Sequence, residues 1–357
     1  MSAIKKNIFD LTKKELEEFL KNENIKLFRI NQIWNWLYVK GATSFFEMNN
    51  LPNDLKRFLD NTFSISLLKV NESYLSEDGT RKWLFKLRDG KEIETVFIPE
   101  GKRGTICVSS QVGCSLSCSF CHTGTMKLVR NLALEEILGQ IVTVKFFLED
   151  WKKKTEEKVV TNIVYMGMGE PLLNYNNVVK SINILCDTEG LAISKRKITL
   201  STSGIVNKIK DFQRDTDVNL AVSLHAAFDN IRNELVPINK KWPIATLIKE
   251  LLDYNYLERK KRITFEYIML DGVNDSLKDA KELIKIIGPL KSKVNLIPFN
   301  PWPNSSYNVS SSEKIEKFKK FILENGKIIA TIRNPRGDDI LAACGQLKSL
   351  NKKISRV

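Results

Sequence analysis

Residues 114–121 read Cys114-Ser115-Leu116-Ser117-Cys118-Ser119-Phe120-Cys121, three thiols in eight residues at Cys-x-x-x-Cys-x-x-Cys spacing. Such crowding is poor geometry for a disulfide framework and suits a metal or a cluster. Three thiolates on one short loop can bind three irons of a 4Fe–4S cube, leaving the fourth iron without a protein ligand. An open iron can chelate the amino and carboxylate groups of a substrate, much as catalytic metals keep one position open. Two other readings stand beside this one. One is a zinc site completed by His122 or a distant residue, and the other is a set of unrelated buried cysteines. With the cluster reading, His122 is a packing or hydrogen-bonding residue rather than a ligand.

Outward from this loop, from about residue 104, the chain alternates strand and helix. Strands are expected at 105–109, 159–165, 197–202, 218–224, 262–269 and 293–299, with helical runs at 134–147, 175–185, 243–254, 276–287 and 312–325. This alternation gives parallel strands joined by crossover helices. Six repeats with few breaks favour an open or partial barrel over a doubly wound sheet, so the fold class is α/β, a partial (βα)6 barrel. Ligands in such barrels sit on the loops at the carboxyl ends of the strands. Polar and glycine clusters fall there repeatedly. The cysteines follow the first strand and Gly167-Met168-Gly169-Glu170-Pro171 follows the second. Ser201-Thr202-Ser203-Gly204 ends the third, Ser223-Leu224-His225 ends the fourth, and Asn300 follows the sixth. That rim is the expected active site.

Residues 1–80 read as a small helical module. Thr12-x-x-Glu15 forms a capping box ahead of Leu16, Phe19 and Leu20. Ile30, Ile33, Trp34 and Leu37 mark one face of a second helix, and a third follows Pro52 with Leu55, Phe58 and Leu59. Strands at 82–88 and 91–98 joined at Asp89-Gly90 give a β-hairpin extension over 81–103, leading into a main domain at 104–357.

Over 357 residues, lysine and arginine outnumber acids 56 to 42, for a net charge of +14. The positive charge gathers in knots: Lys152 to Lys154, Lys195-Arg196-Lys197, Lys240-Lys241 and Arg259-Lys260-Lys261-Arg262. Such knots suit phosphate backbones, because neutralising each phosphate releases counterions. A basic balance alone fixes no partner. No stretch approaches the roughly 20 continuous apolar residues of a membrane span, and the amino end has no apolar signal core. The expectation is a cytoplasmic protein, away from membranes and monomeric by default.

The cysteine motif in a partial βα barrel resembles the radical S-adenosylmethionine superfamily, and Gly167 to Pro171 resembles the glycine-rich turn that receives the methionine amino group there. The chain is more closely similar to the bacterial adenine carbon-2 RNA methyltransferases of that superfamily. The resemblance runs through Ile93 to Val96, Gln111 to Cys114, Arg130 to Leu132, Gly167 to Asn174 and Ser201 to Gly204. It continues through Ser223 to His225, Pro237 to Asn239, Ile297 to Pro301 and Arg336 to Gln346.

The resemblance implies cofactors, roles and partners. Cys114, Cys118 and Cys121 would hold the cluster, and Gly169, Glu170, Ser201, Ser223, Leu224, His225 and Asn300 would hold S-adenosylmethionine. Cys344 and Cys107 match the family's two methyl-handling cysteines. Taken by themselves both read as inert buried residues, the commoner fate of a free cysteine. Adenine carbon 2 is not nucleophilic, so ordinary transfer from a sulfonium methyl cannot reach it. The family route has Cys344 take a methyl from a first S-adenosylmethionine. A second, two per turnover, is cleaved to a 5′-deoxyadenosyl radical that removes hydrogen from that methyl. The methylene radical then adds to carbon 2, and Cys107 releases the product by attacking the Cys344 sulfur, leaving a transient disulfide. Glu94 matches the proton acceptor. By strand alternation alone it lies with Glu92, Val96 and Ile98 against Ile93, Thr95 and Phe97, and reads as an exposed carboxylate. The implied partners are 23S ribosomal RNA, transfer RNA and an electron donor such as a flavodoxin system. The alternatives are a sister group that methylates carbon 8, a zinc-stabilised RNA-binding protein without chemistry, and a radical enzyme acting on a small molecule.

Overall fold

The Thr12 hydroxyl accepts from the Glu15 N–H at 3.2 Å while the Glu15 carboxylate accepts from the Thr12 N–H at 2.7 Å. This reciprocal cap opens α1, Lys13–Asn22, and α2, Phe28–Tyr38, and α3, Asn53–Thr62, follow. The expected stripe of α2 is buried, with Ile33, Trp34 and Leu37 at 1% exposure or less. A short parallel pairing of Lys6-Asn7 with Phe63-Ser64 ties the two ends of this module together. The computed structural model describes residues 5–257 and 261–348. Arg259 and Lys260 of the last basic knot lie outside the described residues.

The remaining chain builds one ten-stranded sheet. Strands β1 (Lys69–Leu75), β2 (Arg81–Lys86), β3 (Glu92–Glu100) and β4 (Arg103–Cys107) pair antiparallel in succession. The β2–β3 turn falls at Asp89-Gly90, with Gly90 at φ 79° and the Leu87 N–H donating to the Lys91 carbonyl at 2.7 Å. A parallel run then starts from β4. It continues through β5 (Asn162–Tyr165), β6 (Ile198–Thr202), β7 (Asn219–Ser223), β8 (Ile263–Met269), β9 (Ser292–Pro298) and β10 (Ile329–Ile332). Each strand lies beside its predecessor, and the order never reverses. Successive right-handed crossovers therefore place their helices on one face, and the sheet curls into an open barrel. The crossover helices are α4 (Leu134–Phe147), α5 (Tyr175–Cys186), α6 (Val206–Thr216), α7 (Asp229–Leu235), α8 (Ile244–Leu257), α9 (Leu277–Ile287) and α10 (Ser312–Gly326).

Two strands depart from the sequence reading. β1 was not anticipated because Lys69–Leu75 carries no apolar alternation. It is an edge strand pairing with β2 alone, and most of its side chains are exposed. β10 extends the parallel run beyond the six strands expected.

Alternation along the parallel strands separates two environments. Ile106, Ile163, Leu200, Leu220, Val222, Phe265, Val294 and Leu296 are buried in the core with Ile137, Ile182, Ile209, Phe212, Leu247 and Phe318 of the helices. Their neighbours Thr105, Thr199, Thr264, Glu266, Asn295 and Thr331 instead line a cavity inside the curl.

Candidate active site

The chain leaves β4 under the control of Gln140 on α4, which accepts from the Ser109 N–H at 2.7 Å and donates to the Ser109 carbonyl at 2.9 Å. Gln111 Oε1 then accepts from the Glu170 N–H at 2.8 Å, joining the cysteine loop to the Gly167–Pro171 turn. A Cβ at Gly169, where φ is 93°, would lie 2.5 Å from Gln111 Cβ, so only glycine allows this approach.

Ser117 takes a left-handed φ of 52° between Cys114 and Cys118. Burial, followed by the Leu116 and Ser115 amides that oppose it, sets Cys114, whose thiol is pushed up to about 12. Burial and the charges of its two neighbours push Cys118 up as well. Cys121 is raised by burial and eased by the Gly124 and Thr123 amides, while the Leu116 N–H donates to Cys114 Sγ at 3.5 Å. A bound cation reverses such penalties by holding a coordinating thiol deprotonated. Among the described residues no three His, Cys, Asp or Glu side chains have the spacing of a single-ion site. Three thiols on one short loop, amides aimed at sulfur, and apolar packing by Leu116 and Phe120 form a donor set that fits a cluster.

Around the rim, Ser201 and Ser223 bring their hydroxyls to 3.3 Å of each other on neighbouring strands. Glu170 is 2% exposed, accepting from Leu172 N–H at 3.1 Å and Ser203 N–H at 2.8 Å. Burial nevertheless lifts its carboxyl to about 7. His225 stands at φ 60°, with Leu224 before it and both backbone N–H groups on the Glu266 carbonyl. Its Nδ1 accepts from the Ile268 N–H at 3.1 Å, and burial, then Arg232, depresses the ring to about 3. The imidazole is therefore neutral, with its proton on Nε2.

Sequence reasoning missed the residue that locks this rim. Arg232 on α7 is fully buried, donating to Leu224 O at 2.9 Å, Ser203 O at 2.8 Å, Ser223 O at 3.1 Å and Asn239 Oδ1 at 2.7 Å. One guanidinium thus binds the ends of β6 and β7. The Pro237-Ile238-Asn239 motif was its only visible trace.

The carboxyl-terminal segment docks on the cysteine loop. His122 N–H donates to Gly345 O at 2.7 Å, and its Nδ1 lies 3.2 Å from Gln346 O. The His122 ring stacks on Trp302 at 4.7 Å, and Trp302 Nε1 donates to Phe120 O at 2.9 Å. Gln346 Nε2 reaches Pro301 O at 2.8 Å. This docking brings Cys344 into one cavity of about 550 Å³ with Cys107, Cys121 and Asn300. Asn300, expected at the cofactor, donates from Nδ2 to Cys344 O at 3.1 Å. Burial, then Cys344, pushes the Cys107 thiol up to about 12, with Arg333 opposing. All six cysteines are free thiols.

Glu94 is not the exposed carboxylate of the alternation argument. It is 4% exposed because the carboxyl-terminal segment covers that side of β3. Its Oε1 lies 3.1 Å from Lys82 Nζ, its Oε2 accepts from the Lys348 N–H at 2.8 Å, and Lys82 donates to Leu341 O at 3.0 Å. Burial raises the Glu94 carboxyl and Lys82 opposes this.

Family models agree with this layout. Residues 6–65 match the ribosomal RNA large subunit methyltransferase N-terminal domain, and residues 108–284 match the radical SAM superfamily. The chain is 48% identical to the dual-specificity RNA methyltransferase RlmN of Nitrobacter winogradskyi, covering 98% of this chain and 91% of that one. The chain belongs to the RlmN family of radical S-adenosylmethionine RNA methyltransferases. The RlmN protein of Paracoccus denitrificans is likewise 48% identical, over 98% of this chain and 91% of its own. Among solved structures, a radical SAM methyltransferase from Sphaerobacter thermophilus superposes with a TM-score of 0.89 at 41% identity, covering 96% of this chain and 99% of that chain. Membership in the RlmN family makes this chain an enzyme using a 4Fe–4S cluster and S-adenosylmethionine, and sets aside the zinc-stabilised binding protein. Among the described residues no helix is long and apolar enough to cross a membrane.

Proposed function

We propose that this enzyme methylates carbon 2 of adenine in 23S ribosomal RNA, at the peptidyl-transferase centre, and in transfer RNA next to the anticodon. The observation that carries the reading is that Cys107 and Cys344, distant in sequence, line one cavity beside Cys121.

Cys114, Cys118 and Cys121 hold the cluster, which when bound and reduced supplies the electron for cleaving S-adenosylmethionine to a carbon radical. The Gly169–Glu170 turn takes the methionine ammonium, and Ser201, Ser223 and Asn300 offer hydroxyl and amide partners to its ribose and carboxylate. Leu224 and His225 close the adenosyl side, with Nε2–H as a donor. The Cys344 thiolate takes the methyl of one S-adenosylmethionine by in-line displacement, with S-adenosylhomocysteine leaving, and a second is consumed in activating that methyl, two per turnover. Once the base is joined through the methylene, the adduct radical would return one electron to the cluster and Glu94 accepts the carbon-2 proton. A carboxyl raised by burial suits that task. Cys107 then attacks the Cys344 sulfur, the carbon–sulfur bond breaks with its electron pair and a proton going to the methylene carbon to complete the methyl group, and a transient Cys107–Cys344 disulfide awaits two electrons. An electron donor such as a flavodoxin system, cytoplasmic location and a monomer complete the proposal. Residues 1–80 and the basic knots position RNA by its phosphates, with 81–103 and 104–357 as the hairpin and catalytic parts.

The test is Cys107→Ser. This variant should accumulate RNA covalently attached to Cys344, visible as a gel-shifted species that nuclease treatment reduces to a nucleotide on the Cys344 peptide. Nucleoside analysis of the wild-type product should give 2-methyladenosine. An 8-methyl product would move the chain to the sister activity.

A further inference from the structure

The cavity beside the two thiols continues below them into the curl of the sheet, and its walls hold two polar groups that the chemistry above leaves unused. Glu266 on β8 is 4% exposed. Its Oε1 accepts from Asn295 Nδ2 at 3.1 Å, and its Oε2 is buried with no hydrogen-bond partner among the described residues. Arg333, just past β10, is anchored by its backbone N–H on Leu296 O at 2.8 Å. Among the described residues its guanidinium finds one acceptor, the weak Met166 Sδ at 3.8 Å. Both side chains line the cavity that holds Cys107 and Cys344, yet they make no ion pair with each other. A buried carboxylate oxygen without a donor is costly when left unmatched, and the half-buried Arg333 guanidinium offers its donors to the same cavity. A cavity of about 550 Å³ is of a size that takes a ligand.

The complementary ligand presents a donor beside an acceptor. We propose that Glu266 and Arg333 read the edge of the flipped adenine, Glu266 accepting from the exocyclic amine on carbon 6 and Arg333 donating to ring nitrogen 1. This rests on the reading of the chain as an adenine carbon-2 methyltransferase. Enzymes that act on a base extrude it from the stack and identify it by hydrogen bonds to its Watson–Crick edge. Along that edge the atoms run amine, nitrogen 1, carbon 2. The side chains follow the same order up the sheet: Glu266 is level with Asn295 of β9 and through it with Thr331 of β10, and Arg333 lies two residues beyond Thr331, toward the rim where Asn300 holds Cys344. An amine on Glu266 and nitrogen 1 on Arg333 direct carbon 2 toward Cys344. Guanine, with an oxygen on carbon 6 and a proton on nitrogen 1, meets two mismatches.

The test uses RNA hairpins carrying adenosine, purine riboside (no amine) or 1-deazaadenosine (no ring nitrogen 1) at the target. Wild-type enzyme should lose about 100-fold or more in kcat/KM on either analogue, as a site built around a substrate's hydrogen bonds does. Glu266→Leu should lose a similar factor on adenosine and then treat adenosine and purine riboside alike. Arg333→Met should do the same for adenosine and 1-deazaadenosine, and Glu266→Gln, keeping one acceptor oxygen, should retain part of the selectivity. Methyl loading of Cys344 precedes RNA and should be unchanged in Glu266→Leu, and thermal melting should change little, because removal of the unmatched Oε2 offsets the donor freed on Asn295. A methyl-loaded Glu266→Leu that still rejects purine riboside as the wild type does would overturn the assignment alone. A wild-type protein that never loads Cys344 would instead overturn the catalytic reading on which it rests.

Discussion

Asn300 Nδ2 donates to the carbonyl oxygen of Cys344 at 3.1 Å. A residue expected to touch the cofactor thus also fixes the backbone of the cysteine proposed to carry the methyl group. Misplacing a nucleophile by a fraction of its reach lowers the rate steeply. Asn300→Ala should therefore slow methyl loading of Cys344 by about 10–100-fold while iron content stays at the wild-type level. Peptide mass spectrometry of pulse-labelled protein measures the loading. Unchanged loading would mean that Gln346 and His122 suffice to seat the segment.

The Lys82–Glu94 pair at 3.1 Å is buried on both sides. Removing one partner strands the other charge, which typically costs about 3–5 kcal/mol. Lys82→Met should lower stability by that order in urea unfolding and free the carboxyl-terminal segment, since Lys82 also holds Leu341 O. The double variant Lys82→Met with Glu94→Leu should recover part of the stability, the contacts to Leu341 O and Lys348 N–H remaining lost. It should not recover RNA methylation if Glu94 is the proton acceptor.

Arg232 makes four hydrogen bonds, to the carbonyls of Ser203, Ser223 and Leu224 at the ends of β6 and β7 and to Asn239 Oδ1. Lysine cannot reproduce that planar fork. Arg232→Lys should cost about 2–4 kcal/mol, as broken buried networks do, and should weaken S-adenosylmethionine binding by isothermal titration because Ser223 and Leu224 lose their support.

Both histidines of the chain are depressed chiefly by burial, His225 to about 3 and His122 in the same direction. A depressed base contributes stability that is full above its unfolded value near 6.5 and is lost as pH falls toward the folded value. Below pH 6.5 each such ring removes up to about 1.4 kcal/mol per pH unit. Buried Glu170, raised to about 7, acts with the opposite sign in this window, so the histidine contribution is read as a difference: between pH 6.5 and 4.5 His225→Gln should lose less stability per pH unit than the wild type in urea unfolding. An identical slope in the variant would place the acid sensitivity elsewhere.

What was legible in the sequence was local. The cysteine spacing, the Thr12–Glu15 cap, the Asp89-Gly90 turn and the strand–helix alternation each depend on neighbours within a few residues, and each appears in the fold. The rim residues were legible for the same reason, since strand ends can be placed from periodicity. What stayed hidden depends on distant partners. Lys69–Leu75 becomes a strand because β2 offers it an edge, against its own polar composition. Glu94 is buried because residues near 348 fold back over it. Arg232 looks like a surface cation on a short helix until the ends of two strands converge on it. Glu266 and Arg333 come to line one cavity only once the sheet has curled.

The central claim is that the methyl delivered to RNA passes through Cys344. Enzyme preloaded anaerobically with a carbon-13 methyl group on Cys344, then given RNA and unlabelled S-adenosylmethionine for a single turnover, tests it most directly. The account predicts that 2-methyladenosine from the first turnover carries the label and that the Cys344 peptide loses it in equal amount. Unlabelled 2-methyladenosine, with the label still on Cys344, would contradict it.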